Sequence, residues 1–469
     1  MDIVAGFSHN RGNSRPTMRA FTTFLFIALA LAAQSHAQTI KSDAAPRPLD
    51  ALMAPETAWQ MTTGEFESQF AKARFEWLSP SKESARFFGS GLSIYQGEMK
   101  VSEAIVEFKE DHLARLSLSL FNRGDSDEQF GRREDFEKKA NGIRDALTQK
   151  LGAQPTPRTD KSAVNAVGYV WMKPPSAYLL EYSFQKEVKS RGIDFRPEFI
   201  RLRVANVKGG ASGGAPNASA AGISGSALVA KASLAANVKK EANGDVLIPN
   251  VPMVDQGPKG YCVVATAERM FRYMGLTVDQ HEIAQAAGTA TDGRSGTSPD
   301  KMYEALNKLE SRFRFRMRVA EPWDFQKWMK MVEDDYSREA KKRGKKEITL
   351  ANSGTIYIDE IYQSMDGETL MAVKTEKDKA GYGKFQRSVQ SLIDQGIPVM
   401  WCVQVGLLPE PEIPQKGVSG HMRMIIGYNM KTSEILFSDS WGAEHALKRM
   451  PMAQARAITD AMYFMEPMK

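Results

Sequence analysis

The spacing of hydrophobic positions changes several times along residues 51–207, and each change predicts a different element. Apolar residues recur at helical spacing over residues 63–77 and 134–151, and Gly152 suits the end of the second helix. Strand patterns occupy the segments between and after these helices: residues 92–108, 115–120, 167–172, 177–184 and 199–204. Residues 115–120 alternate strictly between leucine and either arginine or serine. The order of helix, strands, helix and strands predicts an α+β domain with its helices on one face of an antiparallel sheet.

Residues 208–243 differ from both of their flanks. They consist mostly of glycine, alanine and serine, with almost no large apolar side chain, which is typical of a flexible linker. We therefore expect residues 51–207 and 244–469 to fold separately, and the linker to be mobile.

Residues 244–469 mix helical and strand patterns. Helices are predicted at residues 261–274, 278–287, 298–309, 323–343 and 385–394, and strands at residues 397–405, 423–428 and 434–438.

The beginning of the chain has the pattern of a secretory signal. Three arginines precede an apolar run at residues 21–33, and a small-x-small sequence ending at Ala37 follows. This predicts a signal peptide at residues 1–37. The run is shorter than the roughly 20 residues that a membrane-spanning helix needs. We expect a periplasmic or secreted protein with no stable membrane insertion after the signal is removed.

Composition narrows the function classes. The 469 residues are 42% hydrophobic and 25% charged, which excludes a membrane-spanning bundle and a wholly disordered chain. A net charge of +6 over this length does not predict a nucleic-acid partner. The two cysteines, Cys262 and Cys402, exclude a disulfide scaffold and a cysteine-rich zinc site. No metal or organic cofactor is implied.

The first stretch with recognisable chemistry is Asp-Gln-Gly-Pro-Lys-Gly-Tyr-Cys at residues 255–262. A glycine-rich loop here delivers Cys262 to the first turn of a helix, where the helix dipole favours the thiolate. Gln256 precedes the cysteine by six residues and can place its amide beside the Cys262 N–H. The two donors would form an oxyanion hole.

Two later stretches supply a base and an orienting group. His421 opens the apolar strand of residues 423–428 and would pair with Cys262 as an imidazolium–thiolate couple. Asp439 follows the strand at residues 434–438. If residues 429–433 form a turn, Asp439 lies near His421 and accepts its second ring N–H. Trp441 would shield that hydrogen bond from water.

The order of Gln-Gly, Cys, a distant His and Asp-Ser-Trp-Gly resembles the papain-like cysteine peptidase superfamily. The usual third motif of that superfamily is Asn-Ser-Trp-Gly, so Asp439 departs from it. The aspartate, the Gly-His pair and the sequences at residues 280–284 and 296–299 are most similar to the bacterial double-glycine-leader peptidase-like branch. Over residues 248–469 the resemblance implies a nucleophile helix packed on an antiparallel sheet that carries His and Asp.

Other candidate residues fit structural roles better. Cys402 lies inside an apolar strand and is interpreted as a packed thiol, and a Cys262–Cys402 disulfide would destroy the nucleophile. His281 is assigned to a helix surface. His445 follows Trp441 by four residues and is a rival to His421 for the role of base.

The leading hypothesis is an exported cysteine peptidase that hydrolyses a peptide or protein substrate through Cys262, His421 and Asp439, with Gln256 in the oxyanion hole. The alternatives are an inactive papain-like binding module and an acyltransferase with the same triad. Residues 51–207 contain no His/Cys cluster, so their role stays open between a binding or structural domain and an inhibitory pro-region. The substrate, the cleavage specificity and the oligomeric state cannot be inferred from the sequence.

Overall fold

We describe a computed structural model of the chain. It describes residues 47–468 except 79–80, 124, 126–127, 159–163, 165, 189, 191–193, 208–229, 250, 258–259, 277, 279, 289–298, 351–357 and 415–416, and it omits the side chain of residue 312. The predicted signal peptide and most of the predicted linker lie outside the described residues.

The described residues of the N-terminal unit form two sheets and three helices. Its strands are β1 (Arg47–Pro48), β2 (Phe75–Trp77), β3 (Ser84–Phe88), β4 (Leu92–Ile94), β5 (Met99–Lys100), β6 (Glu103–Lys109), β7 (His112–Asn122), β8 (Thr156–Pro157), β9 (Ala166–Lys173), β10 (Ser176–Gln185) and β11 (Arg196–Asn206). Its helices are α1 (Pro55–Ala58), α2 (Thr63–Phe70) and α3 (Arg133–Leu151), with a 3-10 turn at Asp50–Met53.

The larger sheet is antiparallel, with eight strands in the order β2-β3-β6-β7-β11-β10-β9-β8. Its apolar face and the helices α2 and α3 enclose one hydrophobic core, to which β7 contributes Leu116, Leu118 and Leu120. The alternation at residues 115–120 therefore does place the leucines on the core face. Helix α3 ends at Gly152, whose φ of 61° is the left-handed conformation of a glycine C-cap.

The C-terminal unit starts before the predicted boundary at residue 244. Its strands are β12 (Lys239–Lys240), β13 (Asp245–Leu247), β14 (Phe315–Glu321), β15 (Val399–Val405), β16 (Ser419–Asn429), β17 (Glu434–Ser438), β18 (Lys448–Pro451) and β19 (Thr459–Pro467). Its helices are α4 (Lys231–Leu234), α5 (Cys262–Tyr273), α6 (Gln280–Ala287), α7 (Pro299–Phe313), α8 (Phe325–Lys330), α9 (Ser337–Lys342), α10 (Ile358–Gln363), α11 (Gly367–Ala372), α12 (Lys379–Asp394) and α13 (Met452–Ile458). Met331–Tyr336 and Val373–Lys377 are π-helical, and Ala235–Asn237 and Ala443–His445 are 3-10 turns.

The C-terminal sheet is antiparallel and runs in the order β12-β13-β16-β15-β19-β14, with β17 pairing to β16 and β18 to β17. Helix α5 packs against β16, and Thr266 of α5 donates to the carbonyl of Met422. Every residue of α5 except Cys262 and Arg272 is buried. The expected arrangement of a nucleophile helix on an antiparallel sheet, and the α+β class, are confirmed.

Two predicted segments differ in the structure. The helix expected over residues 63–77 ends at Phe70, and Phe75–Trp77 forms strand β2. The rings of Phe75 and Trp77 still pack near Phe66, at centroid distances of 4.8 and 5.6 Å. Aromatic residues at this spacing fit a helix face or a strand face, so periodicity alone did not separate the two.

The second difference concerns the end of the predicted linker. Helix α4 and strand β12 lie within residues 208–243, and β12 pairs with β13 of the C-terminal sheet. Leu234 is fully buried in the C-terminal core. The described part of this segment is thus integrated into the C-terminal unit. Among the described residues, no helix is long and apolar enough to cross a membrane.

Candidate active site

Cys262 is the first residue of α5, and residues 255–261, here named the nucleophile loop, lead into it. The side chain is half-buried, whereas the following residues of the helix are buried. The backbone N–H groups of Val263 and Met422 both lie within hydrogen-bonding reach of the Cys262 sulfur. These groups favour the thiolate because they place partial positive charge beside the sulfur.

His421 and Asp439 meet because β16 and β17 are antiparallel neighbours. Met424 pairs with Ser438, so the start of β16 lies beside the end of β17. His421 Nε2 lies 3.1 Å from Asp439 Oδ1, and both side chains are fully buried. With Nε2 directed at the carboxylate, Nδ1 is the ring nitrogen available to the thiol.

The thiol and the imidazole each change the pKa of the other. Burial acts to raise the pKa of Cys262, but the interaction with His421 outweighs it, and the pKa is lowered. For His421, burial acts to lower the pKa, but the hydrogen bond to Asp439 and the interaction with Cys262 raise it. His421 Nδ1 makes no hydrogen bond of ordinary geometry in the described structure. Shifts in these directions favour a thiolate–imidazolium couple at neutral pH.

Trp441 covers the imidazole. Its ring stacks on that of His421, with centroids 4.2 Å apart and an interplanar angle of 13°. This is the position expected of a residue that shields the His421–Asp439 hydrogen bond from water.

Asp439 also belongs to a buried charge cluster that sequence reasoning missed. Arg423 Nε donates to Asp439 Oδ1 at 2.9 Å, while its two terminal nitrogens donate to Glu410 at 2.8 Å each. Lys448 Nζ lies 2.9 Å from Glu410 and 3.6 Å from Asp439 Oδ2. Burial acts to raise the pKa of Asp439, but the Arg423 charge, His421 and Lys448 lower it to about 2. Asp439 is therefore held as an anion.

Gln256 is held by the residue that follows Asp439. Its backbone N–H donates to the Ser440 carbonyl at 2.9 Å, and the Ser440 hydroxyl donates to its side-chain Oε1 at 2.8 Å. The carbonyl end of the side chain is thus directed to Ser440. The opposite end is the Nε2 amide, which is the donor that an oxyanion hole requires.

Arg269 links the nucleophile helix to the strand end that carries the acid. Fully buried, it donates to the carbonyls of Pro252 and Asp439, at 2.8 and 3.1 Å, and to the Ser438 hydroxyl at 2.7 Å. Burial lowers its pKa to about 10. A signal was present in the sequence for Arg423, because it is a lone arginine within an apolar strand, but not for Arg269, which lies beside Glu268.

The remaining candidates lie in other environments. Cys402 is buried in β15, burial raises its pKa well above the ordinary value, and both cysteines are free. His445 supports the site through its backbone carbonyl, which accepts from the Asp439 N–H at 3.0 Å. His281 was wrongly assigned to a surface: it is largely buried, with Nε2 3.4 Å from Glu103 of the N-terminal unit.

Comparison with known proteins agrees with this description. Residues 248–463, slightly less than half of the chain, match the Peptidase_C39 like family. The predicted resemblance of this part of the chain to cysteine peptidases of the papain-like superfamily is thereby confirmed. A solved structure, xylellain, a cysteine protease from Xylella fastidiosa, matches with 12% identity over 55% of this chain and 96% of that one, at a TM-score of 0.26. At this identity and TM-score, the match does not establish a shared fold or function. No curated protein matches the chain.

Proposed function

We propose that the protein is an exported cysteine peptidase in which Cys262, His421 and Asp439 form the catalytic triad and Gln256 contributes to the oxyanion hole. The observation that supports this most is the position of His421 between the other two residues. Its Nε2 is hydrogen-bonded to Asp439. Its interaction with Cys262 lowers the pKa of the thiol and raises the pKa of the imidazole. The family match supports a peptide or protein substrate.

In the proposed reaction, the Cys262 thiolate attacks the carbonyl carbon of the scissile peptide bond. Negative charge develops on the carbonyl oxygen, where the Cys262 N–H and the Gln256 amide donate to it. The His421 imidazolium gives its Nδ1 proton to the leaving amine, and a Cys262 thioester remains. His421, now neutral, takes a proton from a water whose oxygen attacks the thioester carbonyl; the carbon–sulfur bond breaks, the acid leaves, and the Cys262 thiolate and His421 imidazolium are restored.

Labelling tests the nucleophile. The mature protein is treated with a limiting amount of iodoacetamide near neutral pH, and modified peptides are identified by mass spectrometry. We expect carbamidomethylation at Cys262, its loss in Cys262→Ala and its retention in the matched control Cys402→Ala. A native protein that is not alkylated at Cys262 would contradict the proposal.

Product analysis distinguishes the alternatives. Incubation with a peptide library should yield cleaved products with wild-type protein and none with Cys262→Ala. Labelling without any cleavage would favour the binding module. Products that carry an added amine in place of a new carboxyl group would favour the acyltransferase.

Export is tested separately. Cell fractionation should place the protein in the periplasm or the medium, and its N-terminal sequence should begin at Gln38. An intracellular protein that retains residues 1–37 would refute the predicted signal peptide and leave the catalytic proposal unaffected.

A further inference from the structure

The polar face of the large N-terminal sheet is buried against the C-terminal unit. Strict alternation in β7 puts Arg115, Ser117 and Ser119 opposite the leucine face, and the neighbouring strands add charged residues on the same side. Arg201 and Arg203 of β11 pair with Glu282 of α6, and both arginines are buried. A face that would ordinarily be solvated therefore contacts the helices next to the nucleophile.

One ion pair of this interface reaches the nucleophile loop directly. Arg86 of β3 donates through Nε to Glu103 at 2.7 Å, and its Nη1 lies 2.7 Å from Asp255 Oδ2. The arginine side chain is only 5% exposed, so its two carboxylate partners neutralise a charge that water barely reaches. Asp255 directly precedes Gln256.

Asp255 transmits this contact to the turn around Gln256. Its second oxygen, Oδ1, accepts from the Gly257 N–H at 2.7 Å. Gly257 has a φ of +68°, and a Cβ added there would come within 3.0 Å of Arg86 Nη2. The guanidinium thus contacts the turn closely and fixes the carboxylate that closes it. Gln280 of α6 also donates to the Asp255 carbonyl, at 3.3 Å, so the loop has a second anchor.

The other end of the nucleophile loop is tied to the same unit. Tyr261, the residue before Cys262, is 2% exposed, and its hydroxyl is hydrogen-bonded to the side chain of Asn122 at the end of β7. Both ends of the loop that carries Gln256 and delivers Cys262 are therefore fastened to the N-terminal sheet.

We propose that Arg86 is a positioning residue for the oxyanion hole, so that the N-terminal unit completes the active site across the domain interface. The proposal rests on the proposed function of Gln256. Arg86 does not touch substrate; it holds Asp255, and Asp255 holds the turn that directs the Gln256 amide. A small displacement of such a donor slows the acyl-transfer step, because the oxyanion is stabilised only when the donor is in place.

The test uses the mature full-length chain with Arg86→Met and Arg86→Lys. Methionine removes both the charge and the N–H donors of the guanidinium. Lysine keeps the charge, but its single ammonium group cannot bridge Glu103 and Asp255 as the guanidinium does. The matched control is Glu107→Gln, which lies on the same sheet face and pairs with Arg115 and Arg272 but with none of the described residues of the loop. Gln256→Ala serves as the reference for a lost oxyanion donor.

Three readouts separate positioning from general damage. Turnover of a peptide amide depends on the oxyanion hole, whereas alkylation of Cys262 by iodoacetamide forms no oxyanion. We expect Arg86→Met to lower kcat about tenfold with an unchanged KM. Its alkylation rate should stay at the wild-type value, with Arg86→Lys intermediate in kcat and Glu107→Gln unchanged. Hydrogen exchange of the peptide covering residues 255–262 should accelerate in Arg86→Met but not in Glu107→Gln.

The double variant Arg86→Met/Gln256→Ala should be no slower than Gln256→Ala alone, since both changes remove the same donor. An additive loss in the double variant, an unchanged kcat, or unchanged exchange at residues 255–262 would overturn the proposal. If Arg86→Met fails to fold, Arg86→Lys carries the same comparison. If the wild-type protein shows neither turnover nor alkylation, the proposed function fails, while the exchange measurement still decides whether Arg86 holds the loop.

Discussion

Replacement of Asp439 by asparagine tests whether the buried charge cluster, and not the hydrogen bond alone, supports the site. The cluster contains two cations, Arg423 and Lys448, and two anions, Glu410 and Asp439. Asn can still accept the bond from His421, as it does in the usual papain-like motif. It removes one anion, however, and leaves the cluster with one excess positive charge, next to the fully buried guanidinium of Arg423.

The magnitude follows from the pKa of Asp439. A carboxyl whose pKa falls from 3.8 to about 2 favours its ionised form in the fold by about 2.5 kcal/mol. Because the folded pKa is lowered, this stabilisation is present above about pH 4 and is lost as the pH falls toward 2. Breaking a buried ion pair by removing one partner costs about 3–5 kcal/mol. We expect Asp439→Asn to lose about 3 kcal/mol at pH 7, and this difference from wild type to shrink below pH 4.

The assay is urea unfolding followed by tryptophan fluorescence, with Asp439→Asn/Arg423→Met as the matched double variant. Removing Arg423 as well leaves Lys448 and Glu410, one charge of each sign. We therefore expect the double variant to be about 2 kcal/mol more stable than Asp439→Asn, since replacing both partners of a buried pair is close to neutral. A double variant that is equally or less stable, or a pH-independent difference from wild type, would refute the charge argument.

Three further predictions concern the neighbouring groups. In native protein near pH 6, iodoacetamide should modify Cys262 and leave Cys402 intact until urea is added, because burial raises the pKa of Cys402; native labelling of Cys402 would contradict this. Gln256→Ala should lower kcat about 100-fold and leave the alkylation rate of Cys262 unchanged, as measured on the same preparation; an equal loss in both would show that Gln256 acts on the thiolate and not on the oxyanion. Trp441→Ala should narrow the pH range of fast alkylation, because water then competes for the His421–Asp439 bond; an unchanged pH profile would mean that the stack shields nothing.

The local sequence pattern predicted many of the helices and strands, because the conformation of each is determined mainly by the residues within it. The alternating leucines of β7 and the helix that ends at Gly152 are examples, since each is fixed by backbone geometry and one apolar face. The order and spacing of Cys262, His421 and Asp439 likewise indicated that helix α5 and two adjacent strands would bring them near each other. The structure places them within one site.

The charged partners of the site were not predicted, for a physical reason. A charge in an apolar strand is stable only when a partner from elsewhere in the chain neutralises it, and that partner leaves no local signature. Arg423 finds Glu410 in the loop before β16 and Asp439 after β17. Arg269 instead donates to the backbone carbonyls of Pro252 and Asp439. Such partners cannot be predicted from the sequence, because every residue has a backbone carbonyl.

The burial of the polar face of the N-terminal sheet has the same physical basis. In a single domain, alternation of apolar and polar residues indicates one buried face and one wet face. Here the second face is buried by a surface of matching charge, as the pairs of Arg201 with Glu282 and Arg86 with Asp255 show. Such an interface is specific because any sliding would leave buried charges unpaired, at a cost of several kcal/mol each. The two units therefore favour one relative position, and in that position Arg86 lies against the turn that holds Gln256.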